Sequence, residues 1–310
     1  ALAMAVGAAF TGPLGIYSSR FLAGAFAASV IPVSQALVAD AISEHQSRAR
    51  NFAWLGIASI AGLLAGPLIG GFAGPGSFAG IKSISLLQGA LALVAGLIAT
   101  LAARWLPSMP PRNASKPAGP IVRGQLANLL FLSALVAAGL GAFEVGLSVR
   151  GRSDPSLTSG ALGLLFGECM LVMAAAQALV FNPWVKAVST SRLVAPSLLL
   201  LGLGLLVLPW AVGGRMLMLA TGAIAASAGL LLPVLAFWIT LSAGAMQGRE
   251  LGRQNSFASL GQAAGSALAG LLAATPGSLN GGILLTGAAL AGTAAWMLPR
   301  LPGRLEPVAR

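Results

Sequence analysis

Polar residues fall in short clusters along this chain, and between the clusters run apolar stretches of about 20 residues, the length of helix that crosses a hydrocarbon core of about 30 Å. The pattern predicts full membrane-crossing helices over 14–40, 51–73, 84–106, 125–149, 158–181, 193–212, 215–244, 255–274 and 281–298. An apolar stub, residues 1–12, precedes them. As a helix it would reach only about 18 Å. It is either re-entrant or the end of a longer helix.

Residues 62–71 read Gly-Leu-Leu-Ala-Gly-Pro-Leu-Ile-Gly-Gly, inside a stretch without charge from Asn51 to Ile81. Gly62, Gly66 and Gly70 lie four apart, so on a helix they form one smooth stripe that another backbone can approach. Pro67 removes a hydrogen-bond donor in mid-helix, which lipid tolerates only where neighbouring helices cover the break. The stripe is expected to pack against helices of another bundle, with Pro67 bending its helix. Gly261 and Gly265 form a shorter stripe that a glycine-rich composition explains by chance.

The chain repeats itself. Pro32 and Pro233, Arg48 and Arg249, and Gly62 and Gly261 each recur at a spacing of about 200 residues, as in transporters built from two parallel repeats. Residues 1–106 are expected to be an incomplete N-terminal bundle, 107–124 a cytoplasmic linker rich in proline, 125–300 a complete six-helix bundle and 301–310 a cytoplasmic tail. On that reading about 75 residues precede Ala1, and the whole has twelve helices.

Composition sharpens this picture. The chain is 57% hydrophobic and 8% charged, with a mean hydropathy of +0.88, where a soluble domain carries about 25% charged residues. The net charge of +11 would point to nucleic acid in a soluble protein. Here it sorts by loop. Arg48, Arg50, Arg104, Arg112, Lys116, Arg123, Lys186, Arg192, Arg249, Arg253, Arg300, Arg304 and Arg310 share one side; Lys82, Arg150, Arg152 and Arg215 share the other. The positive-inside rule makes the first side, with the C-terminus, cytoplasmic. Lipid headgroups account for the charge better than nucleic acid does. Cys169 is the only cysteine, so no internal disulfide exists, and His45 stands without the acids or thiols a metal site needs. Neither a metal nor a cofactor is expected. Asn113-Ala-Ser115 matches a glycosylation sequon on a segment read as cytoplasmic, a chance match.

These segments resemble the major facilitator superfamily, and most of all its twelve-helix drug:proton antiporter branch. Gly62, Gly66, Pro67, Gly70 and Gly71 match that branch's motif G-x8-G-x3-G-P-x2-G-G, with Ala53 in place of its first glycine. Ile16, Arg20, Gly24 and Ala28 match its preceding motif, while Ala23 and Ser29 depart from it. Asp40-x3-Glu44-x3-Arg48-x-Arg50 resembles the acidic-then-basic loop between the two motif helices. The topology resembles the family over the whole chain, the motifs over 16–71 only.

The resemblance implies an all-α membrane protein of the major facilitator fold, two helical bundles rocking about a central site in a bacterial inner membrane, working as a monomer on small molecules and protons. It places the glycine stripe against the span at 158–181, favours export over uptake and gives Arg20 a part in proton transfer. The charges inside the spans are functional candidates independently, since each costs about 3 kcal/mol at the bilayer centre. By helical rise Arg20 lies about 9 Å deep, Glu144 about 8 Å and Glu168 about 15 Å. A carboxylate kept from water at the last depth can cycle a proton. Arg20 and Glu144, at like depth, are expected to pair in one access state. Asp40, Glu44 and Arg48 are expected to form a cytoplasmic gate. Phe143, Phe166, Phe237 and Trp238 are candidate apolar contacts for a substrate, though aromatics at helical spacing more often pack. The expected function is proton-coupled efflux of small lipophilic compounds by alternating access. The alternatives are a proton-coupled uptake symporter on the same fold and a transport-dead membrane sensor; a membrane-embedded enzyme would need more clustered polar groups than seven acids and one histidine supply.

Overall fold

The computed structural model describes residues 13–27, 30, 33–34, 58–59, 61–66, 68–69, 78–104, 123–180, 187–243, 247–273 and 281–297. Its helices are α1 (Pro13–Ala27), α2 (Phe78–Ala103), α3 (Arg123–Ser153), α4 (Ser159–Val180), α5 (Ala187–Val207), α6 (Gly214–Ala243), α7 (Gln247–Ala273) and α8 (Gly281–Met297), with a 3-10 turn at Leu208–Trp210. A further helical stretch lies between residues 58 and 69. The architecture is all-helical among the described residues, as the apolar periodicity predicts. By length and composition alone, Leu126–Arg152, Ser159–Leu179, Gly214–Ile239 and Gly248–Ala273 can each cross a membrane; Leu86–Leu101, Val194–Trp210 and Ile283–Thr293 are shorter apolar helices.

The chain forms two units, one of residues 1–55 and 69–116, the other of 56–68 and 117–310. In the first, every residue of α2 from Ala90 to Leu101 is exposed, so all sides of the helix are open, and apart from Thr100 all of them are apolar or glycine. A helix apolar all round is buried or lipid-facing, never solvated.

The second unit is held by seams of small residues. Along α3 and α7 the backbones all but touch: a Cβ on Gly261 would collide with the carbonyl of Ala134, and one on Gly265 with that of Ala138. Both numberings rise together, so α3 and α7 run parallel. Three helices lie between them in sequence, which an up-and-down succession requires. Gly202 and Gly287 meet in the same way where α5 crosses α8, each with the other's carbonyl oxygen 3.1 Å from where its Cβ would stand. Gly229 of α6 meets the carbonyl of Met173 on α4 at 2.7 Å. Lipid supplies no hydrophobic drive between helices, so close van der Waals contact through such residues does the holding. The Gly261–Gly265 pair is therefore a packing seam, which corrects its reading as chance.

α5 shows both solvents at once. Leu198, Leu201 and Leu205 are fully buried, while Leu199, Leu203 and Val207 on the other face are exposed and equally apolar. Water would demand polar residues there; acyl chains do not.

The helix ends differ from the sequence expectation in an instructive way. α7 begins at Gln247, eight residues before the predicted start at 255, because Arg249–Arg253 continues the helix instead of forming a loop. Its first turns carry the charge: Arg253 Nη1 bonds Glu250 Oε2 at 3.1 Å, and Glu250 is only 3% exposed. A buried carboxylate needs such a partner. α3 runs on to Ser153, placing Arg150 and Arg152 in its last turn, where cations suit the helix dipole. Arg150 reaches further, donating to the carbonyl of Leu208 at 2.7 Å and to that of Ala211, so it satisfies the open end of α5. Beyond it, Gly213 takes a positive φ of 79° that turns the chain into α6. Between α3 and α4 a short turn is self-capped. Ser156 donates its hydroxyl (2.6 Å) and its N–H (3.0 Å) to Asp154 Oδ1, and the Thr158 hydroxyl accepts the N–H of Ala161 at 3.2 Å, opening α4.

Candidate functional site

Glu168 lies in the middle of α4, where Leu164, Leu165, Phe166 and Leu171 surround it in sequence. Its head rests on two consecutive residues of α6. Oε2 is 3.5 Å from the Thr221 hydroxyl, and Oε1 is 3.3 Å from where a Cβ of Gly222 would stand. The seat is one glycine wide: a side chain at 222 would press on the carboxyl. Thr221 is fully buried, and its hydroxyl already bonds the carbonyls of Leu217 (2.9 Å) and Met218 (3.1 Å). Cys169, 1% exposed, points its thiol at the carbonyl of Thr221, 3.8 Å away.

Glu144 sits on α3 beside the parallel seam. The Gln262 amide nitrogen on α7 donates to both carboxyl oxygens, at 3.1 and 3.4 Å. The seam itself makes this possible. Gly141 lies against the backbone carbonyl of Gln262, so α7 comes near enough for a Gln to reach one helical turn along α3. A side-chain N–H is a donor only, and it can serve a carboxylate or the carbonyl oxygen of the acid.

Arg20, in the other unit, is exposed on α1 and its guanidinium reaches Gln88 Oε1 on α2 at 3.4 Å. Within their own units Arg20 and Glu144 thus each have an amide partner. Asp40, Glu44, Arg48, Pro67, Gly70 and Gly71 lie outside the described residues.

Two glycines of the stripe, Gly62 and Gly66, are placed, and their packing differs from expectation. Gly62 and Gly66 are exposed, with no atom within 4 Å of a Cβ at either. The face that meets α4 is the opposite one: Leu68 rests on Gly167, its Cδ2 2.9 Å from where a Cβ would stand, and Leu64, one turn earlier, is half-buried on the same side. Residues 64 and 68 stand about 200° around the helix from 62 and 66, so both faces cannot serve one neighbour. The helix expected to receive the stripe is the right one, but a leucine knob makes the contact and the smooth groove stays open.

Of the aromatic candidates, Phe143 and Trp238 are core, at 3% and 1% exposure, and Phe143 meets Phe166 edge-on at 5.9 Å between α3 and α4. Phe237 is exposed. Among the described residues, no three His, Cys, Asp or Glu side chains converge as metal ligands would.

Sequence reasoning missed Thr221, Gln262 and Gln88. All three are uncharged polar residues inside apolar helices. A search for charge passes over them, although a polar side chain in a lipid-facing helix has the same need of a partner.

Residues 1–149 match the model of the Major Facilitator Superfamily. The chain is also similar to multidrug resistance protein 2 of Bacillus subtilis (strain 168), at 26% identity over 266 residues, covering 83% of this chain and 66% of that protein. It thus spans just under two thirds of that relative's length. Residues 1–149 are therefore similar to a family of transporters and not of enzymes, and the apolar helices make the chain an integral, multi-pass membrane protein.

Proposed function

We propose that the protein is a proton-coupled exporter of small lipophilic compounds, working by alternating access as a monomer in a bacterial inner membrane with its C-terminus in the cytoplasm. The observation that carries this is the pair Glu144 and Glu168. Each is a carboxyl group set inside an apolar helix and met by a neutral polar side chain of a neighbouring helix. A carboxyl so placed has no structural need to be charged, and intramembrane acids mark proton and substrate paths. Export rather than uptake is favoured by Gly62-x3-Gly66-Pro67-x2-Gly70-Gly71 and by the similarity to a protein named for multidrug resistance. In this reading Arg20, Glu144 and Glu168 carry coupling, Asp40, Glu44 and Arg48 gate the cytoplasmic face, and the glycine motif serves the conformational change.

The test uses everted membrane vesicles from cells expressing the full-length protein. With an inside-acid pH gradient, a fluorescent lipophilic dye should accumulate in the vesicles and leave when the gradient is collapsed. Accumulation that ignores the gradient, or dye movement only in the opposite sense, overturns proton-driven export. Glu144→Gln and Glu168→Gln should each abolish accumulation while leaving dye binding measurable.

A further inference from the structure

The seat of the half-buried Glu168 lacks what a carboxylate away from water ordinarily finds. Inside an α-helix the backbone N–H groups are already used four residues back, so the α6 backbone at residues 221–222 offers the carboxyl no donor. Among the described residues the donor within reach is the Thr221 hydroxyl, and it has a single proton for three acceptors. Those acceptors are the Leu217 carbonyl at 2.9 Å, the Met218 carbonyl at 3.1 Å and Glu168 Oε2 at 3.5 Å. Distance assigns the proton to the helix backbone. What faces the carboxyl is then a hydroxyl lone pair, which repels a carboxylate and accepts from a carboxylic acid.

We infer that Thr221 is a positioning residue for Glu168 that reverses its hydrogen bond with the proton: it accepts from the carboxylic acid while back-bonded to Leu217, and donates to the carboxylate by turning away from Leu217. No covalent bond is made or broken beyond the acid's own O–H. The proton leaves Glu168 for water on its half-open side, and the threonine keeps its hydrogen throughout. Back-bonding by threonine bends helices, so each turn of the hydroxyl alters the carbonyl bonding of α6 two turns from its start. The device rests on the exporter reading for its purpose, but not for its chemistry.

Few charges surround it. On α4 the other titratable group is Cys169; α6 carries only Arg215, six residues before Thr221; residues 56–68 carry none; α3 carries Arg123, Glu144 bonded to Gln262, Arg150 bonded to backbone carbonyls, and Arg152. The single hydroxyl has little to compete with.

The experiment is an infrared pH titration of the full chain in lipid nanodiscs, without substrate or gradient. The carbonyl stretch of a protonated side-chain acid, identified by its loss in Glu168→Gln, reports the bond that the acid donates. Thr221→Val, which exchanges the hydroxyl for a methyl at constant shape, should move that band to higher frequency, and Thr221→Ser should leave it in place. In vesicles, the pH profile of dye export should shift in Thr221→Val and be restored in Thr221→Ser. Should the valine variant fail to reach the membrane, Thr221→Ala is required to give the same band shift. An unmoved band in the hydroxyl-free variant, a serine variant that moves as far, or no Glu168 band at any pH overturns the proposal. Export that persists in Glu168→Gln, with the band shift intact, overturns the coupling role and leaves the seat standing.

Discussion

At the scale of single residues, Glu144 and Glu168 differ in what they face. Gln262 gives Glu144 two contacts from one N–H₂ group, whereas Thr221 gives Glu168 an oxygen. Interhelical hydrogen bonds in lipid are worth about 0.6 kcal/mol on average, too little to hold α3 to α7, which the glycine seam does already. Gln262→Leu is therefore expected to leave the thermal stability of the detergent-solubilised protein nearly unchanged and to lower gradient-driven export several-fold. If stability falls as far as export, Gln262 is packing and not function. Outside the membrane, Asp154 makes the one pH prediction the geometry supports. The Ser156 hydroxyl and then its N–H, bonded to the carboxylate, hold Asp154 below the ordinary carboxylate range. A depressed value stabilises the turn above the range where free Asp titrates, and that stabilisation is lost as pH falls through it. Hydrogen exchange of amides 154–158 should stay slow through neutral pH and quicken in acid once corrected for the intrinsic rate; Asp154→Asn should exchange fast at every pH. Thr158→Ala, which removes the cap of α4, should cost about 1 kcal/mol.

At the scale of elements, two glycine stripes with nearly the same sequence spacing have opposite surroundings. Gly261→Leu and Gly265→Leu each drive a side chain into the α3 backbone, where overpacking costs about 1–3 kcal/mol or more because a carbonyl cannot move aside as a side-chain tip can. Both should reduce folded yield and melting temperature. Gly66→Leu meets open space and should spare both, so any loss it brings will be read in export. Equal damage from all three variants would mean that the open face of Gly66 is covered in the working protein. The contrast also shows what the sequence can convey. Helix existence and length were legible from apolar runs, since lipid enforces both. Which face of a helix meets which neighbour was not: in a helix apolar all round, 62/66 and 64/68 look alike in hydropathy, and only the partner's shape, Gly167 under Leu68, chooses. Glu144 and Glu168 were legible as isolated charges in apolar runs. Their partners lie 118 and 53 residues away and carry no charge to betray them.

At the scale of the whole molecule, the distribution of Lys and Arg makes a claim about direction that the helices alone cannot make. α3, α5 and α7 each run from the Arg-rich side toward the other, and the turn at Asp154–Thr158 lies at the far end from the start of α7 at Gln247. If positive residues remain in the cytoplasm, Ser156 faces outward and Gly248 inward. The chain is suited to asking this, because its only cysteine, Cys169, is 1% exposed and should stay silent toward a water-soluble maleimide. A membrane-impermeant maleimide applied to intact cells whose outer barrier is open to it should label Ser156→Cys, and should label Gly248→Cys only once the inner membrane is permeabilised. Both positions are exposed in the structure, so failure to react cannot be put down to burial. The opposite pattern would invert the protein. The coupling proposed for Glu168 would then run in the reverse sense, and the same carboxyl geometry would describe uptake in place of export.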